Sequence, residues 1–337
     1  MEKLNIEIPN FGELNKLDED LYWTQFQLPF KLNHVNLFFL DTDDGWLIID
    51  SGLRSDHSHE MWEKLLNGPL YKEKICGLII THYHPDHMGM AGWIQNKFNI
   101  PAYTTEKEFF TANKLLSMSE EEYSKLFNHV FQRAGMPLDQ KNEMLKATRL
   151  YKNRVYELPE FEIIKSGHVF NSKNGTWVVR TDAGHSPEHI SLLDEKRKLY
   201  LAGDFLLPRI SPNISDNFFD PKDDRLGGYL TYLNDIKSIG SETLVFPCHD
   251  WPFKKGRERA DELIKHHENR LNILKNVIKS KKINIMNSID LIFDRKIGNE
   301  QMHFAIGEAR AHLIHLEATG FAKSQTDENE VVWYSLN

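Results

Sequence analysis

Cysteine is nearly missing from this chain of 337 residues, where Cys76 and Cys248 are the two present. Two thiols cannot form a disulfide framework, and the opening MEKLNIEIPNF has no basic segment running into an apolar one. The expected setting is the reducing cytoplasm. Long hydrophobic runs are missing as well. Apolar stretches such as Val35–Leu40 fall far short of the roughly 20 residues that a membrane helix needs, so no span is expected. Positive charge is not in surplus, because 41 Lys and Arg stand against 49 Asp and Glu, a formal −8. That balance argues against a whole surface built to grip nucleic acid or anionic lipid, and small molecules are the expected partners.

What is present is an ordinary globular composition, long enough for one large α/β domain and a small appendage. From Leu21 to Gly52 the pattern is that of strands joined by tight turns: LYWTQFQLPF, VNLFFLDT, a DDG turn and WLIIDSG. A helix around Ser58–Leu66 leads into CGLIITHYHPDH, a buried strand that delivers a polar loop. MGMAGWIQNKF reads as a helix and IPAYTT as a strand. Residues 106–151, rich in Glu, Lys, Leu and Phe at helical spacing, read as a helical insertion. Strand character returns in TWVVRTDAGHS, ISLLD, KLYLAGD and TLVFPCHD, with a helix near Gly228–Ile239 between the last two. After Trp251-Pro252 come three helical stretches and a hairpin-like end. The expected division is a catalytic domain over 1–252 and a winged-helix-like domain over 253–337.

The sharpest feature is Thr81-His82-Tyr83-His84-Pro85-Asp86-His87-Met88-Gly89. Neutral imidazole and carboxylate oxygen are ligands that a borderline cation such as zinc accepts. Alternation on an extended backbone points His82 and His84 the same way, and leaves Tyr83 to the core. Asp86 and His87, past the proline, can face a second ion. Three further candidates each end an apolar strand: His185 in TDAGHS, Asp204 in LAGD and His249 in FPCHD. Alone, each would more often be a cap or turn residue. Together they complete the count for two cations, with His82, His84 and His185 on one, Asp86, His87 and His249 on the other, and Asp204 able to bridge.

THYHPDHMG, TDAGHS, LAGDF and FPCHD, in this order, resemble the motifs of the metallo-β-lactamase superfamily over about Leu21 to Trp251. The resemblance implies an αββα sandwich of two sheets with helices outside and a metal site at one edge. It also marks Asp50, in LIIDSG, as an acidic residue beside that site, where it would orient a ligand imidazole. The antibiotic-hydrolysing zinc enzymes commonly carry cysteine where this chain has Asp204, and diiron flavoproteins carry glutamate where it has His84. The HxHxDH set with a bridging aspartate resembles glyoxalase-II-like thioesterases, lactonases and nuclease branches. The helical tail resembles the winged-helix-like extension of a group that includes small endoribonucleases.

Two divalent ions, offset by Asp86 and Asp204, would supply activated water without a protein nucleophile. Cleavage of a small ester, thioester or lactone is the leading expectation. Endoribonuclease action on single-stranded RNA stands second and an iron-dependent dioxygenase third. Zinc is the favoured metal, although manganese or iron accept the same ligands. Arg209, in the LPRISPNIS loop, is a candidate to meet an anionic substrate group, with a solvated surface charge as the equal alternative. Cys248 is expected to be a small buried strand residue. From Phe253 to Asn337 there are 14 Lys and Arg against 12 Asp and Glu. The third helix carries Glu308 and Glu317, and the hairpin Asp327, Glu328 and Glu330, the wrong sign for phosphate. The tail is therefore read as a packing or pocket element that could also mediate a homodimer.

Overall fold

A computed structural model describes residues 1–30, 32–147, 150–215, 219–220 and 222–337. Two seven-stranded sheets form its centre. The first runs, in spatial order, Asn15–Lys16, Leu21–Gln27, His34–Thr42, Gly45–Ile49, Ile75–Ile79, Ala102–Thr104 and Phe161–Ile163. The second runs Glu2–Lys3, Phe253–Lys254, Leu244–Pro247, Leu199–Gly203, His189–Asp194, Thr176–Asp182 and Val169–Asn171. The strand HVNLFFLDT is buried along both faces, which explains its nearly unbroken apolar run. Its Phe38 meets Phe246 of the second sheet edge to face, with ring centres 6.4 Å apart. Asn36, also buried, ties the sheets together through its Nδ2, which donates to the carbonyls of Pro247 (2.8 Å) and Asp250 (3.1 Å).

Helices cover the sandwich, and local signals set where they begin. Ser55 accepts the Ser58 N–H ahead of helix Asp56–Leu66, and Asp224 accepts the Gly227 N–H ahead of helix Arg225–Ile236. The expected insertion consists of helices Glu106–Ser117, Glu120–Ala134 and Leu138–Ala147, followed by a single 3-10 turn at Tyr151–Asn153. Residues 148 and 149 of it lie outside the described residues. A capping box of Ser119 and Glu122 opens its second helix, and Gly135, at φ 79°, closes it.

The tail has the three helices and hairpin that its pattern suggested: Gly256–Ile278, Ile285–Ile292, Asn299–Ala318, then Ala322–Thr326 paired with Val332–Leu336. The short strand Ile283–Asn284 pairs with Val332–Leu336 to make a third sheet. One expectation is corrected here. Glu308 is not a surface charge on the third helix but is buried, where it pairs with Arg270 of the first. Helical spacing shows which residues share a face. It does not reveal that a cation waits on the neighbouring helix. Among the described residues no helix is long and apolar enough to cross a membrane.

Candidate metal centre

Five segments reach one edge of the sandwich, each just past the carboxyl end of a strand. Asp50 follows Gly45–Ile49, the Thr81–His87 loop follows Ile75–Ile79, His185 follows Thr176–Asp182, Asp204 follows Leu199–Gly203 and His249 follows Leu244–Pro247. Strand carboxyl ends are where open α/β sheets gather ligand groups. The backbone at Gly203 is in the left-handed region, at φ 55°, and a Cβ there would overlap the ring of His189. Glycine at that position lets Asp204 turn inward against a buried imidazole.

All seven expected ligand residues converge. The ligand atoms of His82, His84, His185 and Asp204 lie within 4.8 Å of one another, as do those of Asp86, His87 and His249. His82 Nε2 is 2.9 Å from His84 Nδ1. Asp204 Oδ2 is the hub, 3.9 Å from His82 Nε2, 3.5 Å from His87 Nε2, and 3.3 Å from both His185 Nε2 and His249 Nε2. Asp86 Oδ2 stands 3.7 Å from His87 Nε2 and 3.6 Å from His249 Nε2.

Partners behind the imidazoles fix which nitrogen faces inward. His87 Nδ1 lies 2.8 Å from Asp50 Oδ2, His185 Nδ1 lies 2.8 Å from the Asn213 carbonyl, and His249 Nδ1 lies 2.8 Å from the His34 carbonyl. In the neutral form with Nδ1 donating, each Nε2 turns its lone pair toward the centre. Asp50 is fully buried and also accepts from the Thr81 N–H (2.8 Å) and Oγ1, while the Cys248 thiol lies 3.5 Å from its Oδ2. Cys248 itself is buried, as its strand position suggested.

The charges are arranged to match. Burial, reinforced by neighbouring imidazoles, holds His82 and His84 well below the usual imidazole range, in the neutral form that binds metal. Burial also disfavours a charged His87, but the carboxylates of Asp204, Asp50 and Asp86 outweigh it and hold this imidazole well above its ordinary value. For Asp204 burial is opposed by His249 and His87, which keep the carboxyl well below the usual range and ionised. Three buried polar atoms here, His87 Nε2, His185 Nε2 and Asp204 Oδ1, have no hydrogen-bond partner among the described residues. An orphaned buried polar atom costs about 1–3 kcal/mol, and three orphans around one carboxylate are what bound cations would satisfy. The donor set therefore fits divalent metal ions.

Arg209 is not brought to this cluster as a free cation. Its guanidinium donates to Asp250 Oδ1 at 2.7 Å and lies 6.0 Å from the centre of the Trp251 ring, with the side chain 59% exposed. Tyr83 stacks toward Tyr151, with ring centres 6.4 Å apart, and Tyr151 Oη donates to the Tyr83 carbonyl. Two residues at the site escaped sequence reasoning. His189 Nε2 accepts the Asp204 N–H at 3.2 Å. Glu108, fully buried on the first insertion helix, accepts the Tyr83 N–H (2.9 Å) on one oxygen, and the Ser186 hydroxyl (2.6 Å) and Glu188 N–H (2.7 Å) on the other. It thereby clamps the His82–His84 loop to the His185 loop. Burial raises its pKa, and those three donors act against the rise.

A family model described as the metallo-beta-lactamase superfamily matches residues 31–249, which hold every one of these converging residues. The chain belongs to the metallo-beta-lactamase superfamily. A second model, the metallo-beta-lactamase-like C-terminal domain, matches residues 272–337. A probable metallo-hydrolase of Bacillus subtilis is 22% identical over 322 residues, covering 94% of this chain and 98% of that protein. An exodeoxyribonuclease of Bacillus anthracis is 26% identical over 81 residues, 24% of this chain and 30% of the relative. A beta-lactamase domain protein from Burkholderia ambifaria superposes with a TM-score of 0.91 at 27% identity, covering 100% of this chain and 98% of that one. A metallo-beta-lactamase family protein from Thermus thermophilus superposes at 0.79 and 22% identity, covering 94% and 99%. The αββα sandwich and a superfamily metallo-hydrolase with a His/Asp metal-binding cluster are thus the frame for its chemistry.

Proposed function

We propose that this metallo-hydrolase holds two divalent ions, zinc by preference, and cleaves a small ester, thioester or lactone. The observation that carries the proposal is Asp204 Oδ2 standing within 3.3–3.9 Å of imidazole nitrogens from both ligand groups. His82, His84 and His185 would hold one ion and Asp86, His87 and His249 the other, with Asp204 in reach of both groups. Divalent ions bound there would supply a water acidified to near neutrality and a Lewis acid for the substrate carbonyl.

The protein's own residues do the rest. Asp204, kept ionised in a buried setting, accepts a hydrogen bond from the attacking water and orients it. Asp86 balances charge on the second position. Asp50 holds the His87 ring in the tautomer that turns Nε2 inward. The buried Cys248 thiol, pushed well above its usual range by burial and the Asp50 carboxylate, stays protonated and is no nucleophile. The tail, read as a winged-helix-like unit from residue 253, has nearly balanced charge, which favours a small substrate over RNA.

The test is turnover of a panel of thioesters, esters and lactones beside a single-stranded RNA, with and without chelator, and metal analysis of protein purified without added metal. Chelator-sensitive turnover of panel members with RNA left intact is expected. Cleavage of RNA with an inert panel would overturn the substrate class, and iron content with oxygen consumption would overturn hydrolysis.

A further inference from the structure

We infer that the C-terminal helices position the metal ligand His185, through Asn213, so that the tail is a working part of the metal centre. This rests on the reading of His185 as a ligand given above. The chain of contacts begins at His185 Nδ1, 2.8 Å from the Asn213 carbonyl. That carbonyl is fixed by the Asn213 side chain, which contacts the tail directly through Nδ2 and, through Ser215, by way of Oδ1. Nδ2 donates to the Phe304 carbonyl (3.2 Å) and to Glu308 Oε2 (3.3 Å), both on helix Asn299–Ala318. Oδ1 accepts the Ser215 hydroxyl at 2.5 Å, and Ser215 sits so close to Gly307 of the same helix that a Cβ there would overlap its Oγ and Cβ. Glu308 Oε1 is in turn held by Arg270 of helix Gly256–Ile278.

Leu207, Ile210 and Ser211, which follow Asp204, are gripped from the same side. Arg259 donates to the Leu207 carbonyl (2.8 Å) and to the Ile210 carbonyl (3.0 Å), and Ser211 Oγ lies 3.4 Å from His267 Nε2. The first metal ligand set therefore has one member, His185, whose orientation depends on residues beyond 253. In the second set, His87 and His249 are oriented by Asp50 and His34 of the sandwich. This asymmetry makes the inference testable. A loosened tail should weaken one metal position and spare the other.

Asn213→Asp removes the Nδ2 donor and sets a carboxylate against Glu308 and the Phe304 carbonyl, while the backbone carbonyl is retained. Gly307→Ala pushes Ser215, and so Asn213, from the other direction. Partners behind a ligand imidazole are worth roughly 10–100-fold in metal affinity. Zinc titration of full-length chain against a competing chelator should give two affinities in the wild type. Each variant should weaken one of them 10-fold or more and leave the other within about 3-fold, with melting of the metal-free protein shifted by only a few degrees. Retention of both affinities in both variants would overturn the inference while leaving the proposed function intact. Parallel loss of both, together with a lowered melting temperature in the metal-free protein, would show a merely structural tail and overturn it too. A wild type that takes up no zinc would overturn the inference and the proposed function together.

Discussion

Two clusters of largely buried histidines stand out among the described residues, and their carboxylates are treated in opposite ways. At the edge of the sandwich, His82, His84, His87, His185 and His249 crowd Asp86 and Asp204. Among the described residues neither carboxylate is paired with a lysine or arginine. In the tail, His266 and His267 approach Glu308 closely enough to suggest a third ligand group. Yet there Glu308 is already occupied by Arg270 and Asn213. His267 shares a contact with His312 at 3.2 Å, and His312 Nδ1 faces the Glu308 carbonyl at 2.7 Å. Burial lowers His312 to about 3 and His266 to about 4, so both are uncharged. Proximity of ligand types is common to both clusters. What separates them is the fate of the carboxylates, without a lysine or arginine partner and ringed by convergent imidazoles at the edge, occupied by Arg270 and Asn213 in the tail. Of the three tail imidazoles, His266 alone leaves a buried nitrogen without a hydrogen-bond partner among the described residues.

The sharpest break between the two would come from removing the hub. Asp204→Ala should abolish metal retention at both positions and with it turnover, read by elemental analysis and by substrate panel, and His84→Ala should do the same. Retention of full activity by either would count against the whole arrangement. Asp50→Asn should come next. It keeps the shape of the side chain but loses the charge that faces His87 and Thr81, and about 10–100-fold in metal affinity is expected. Glu108→Gln should follow, because an amide cannot accept on both sides of the clamp. One N–H, of Tyr83 or of Glu188, would meet another donor, and a loss of about 1–3 kcal/mol in stability is expected from chemical denaturation. His266→Ala is the smallest. Its Nε2 has no hydrogen-bond partner among the described residues, so metal content should be unchanged and stability should move by about 1 kcal/mol or less. Loss of one ion on that substitution would mean that the tail cluster binds metal after all.

Much of the candidate site could be read from the residues because its candidate ligands sit where apolar strands stop. THYHPDH, TDAGH, LAGD and FPCHD each carry their own local contrast between an apolar run and a polar end. Glu108 and Glu308 lack that contrast. Each lies in a charged helical stretch that looks solvated, and only the packing of a neighbouring element buries it. Asn213 was hidden for another reason. Its contribution is a backbone carbonyl in a Pro/Ser/Asn-rich loop, and carbonyls have no sequence signature. His189 reads as one strand residue among several until Gly203 is seen to yield it space. Of the fold, long strands and helices were legible. The three-residue strands Phe161–Ile163 and Val169–Asn171 and the two-residue Glu2–Lys3 are too short to show a period.

The most direct measurement is anomalous scattering at the metal edge from crystals of the protein prepared without added chelator. Two peaks are predicted, one within coordination distance of His82, His84 and His185, the other of Asp86, His87 and His249, with Asp204 reaching both. A peak at His266, His267 and Glu308 instead, or a sandwich edge that holds no metal, would contradict the account.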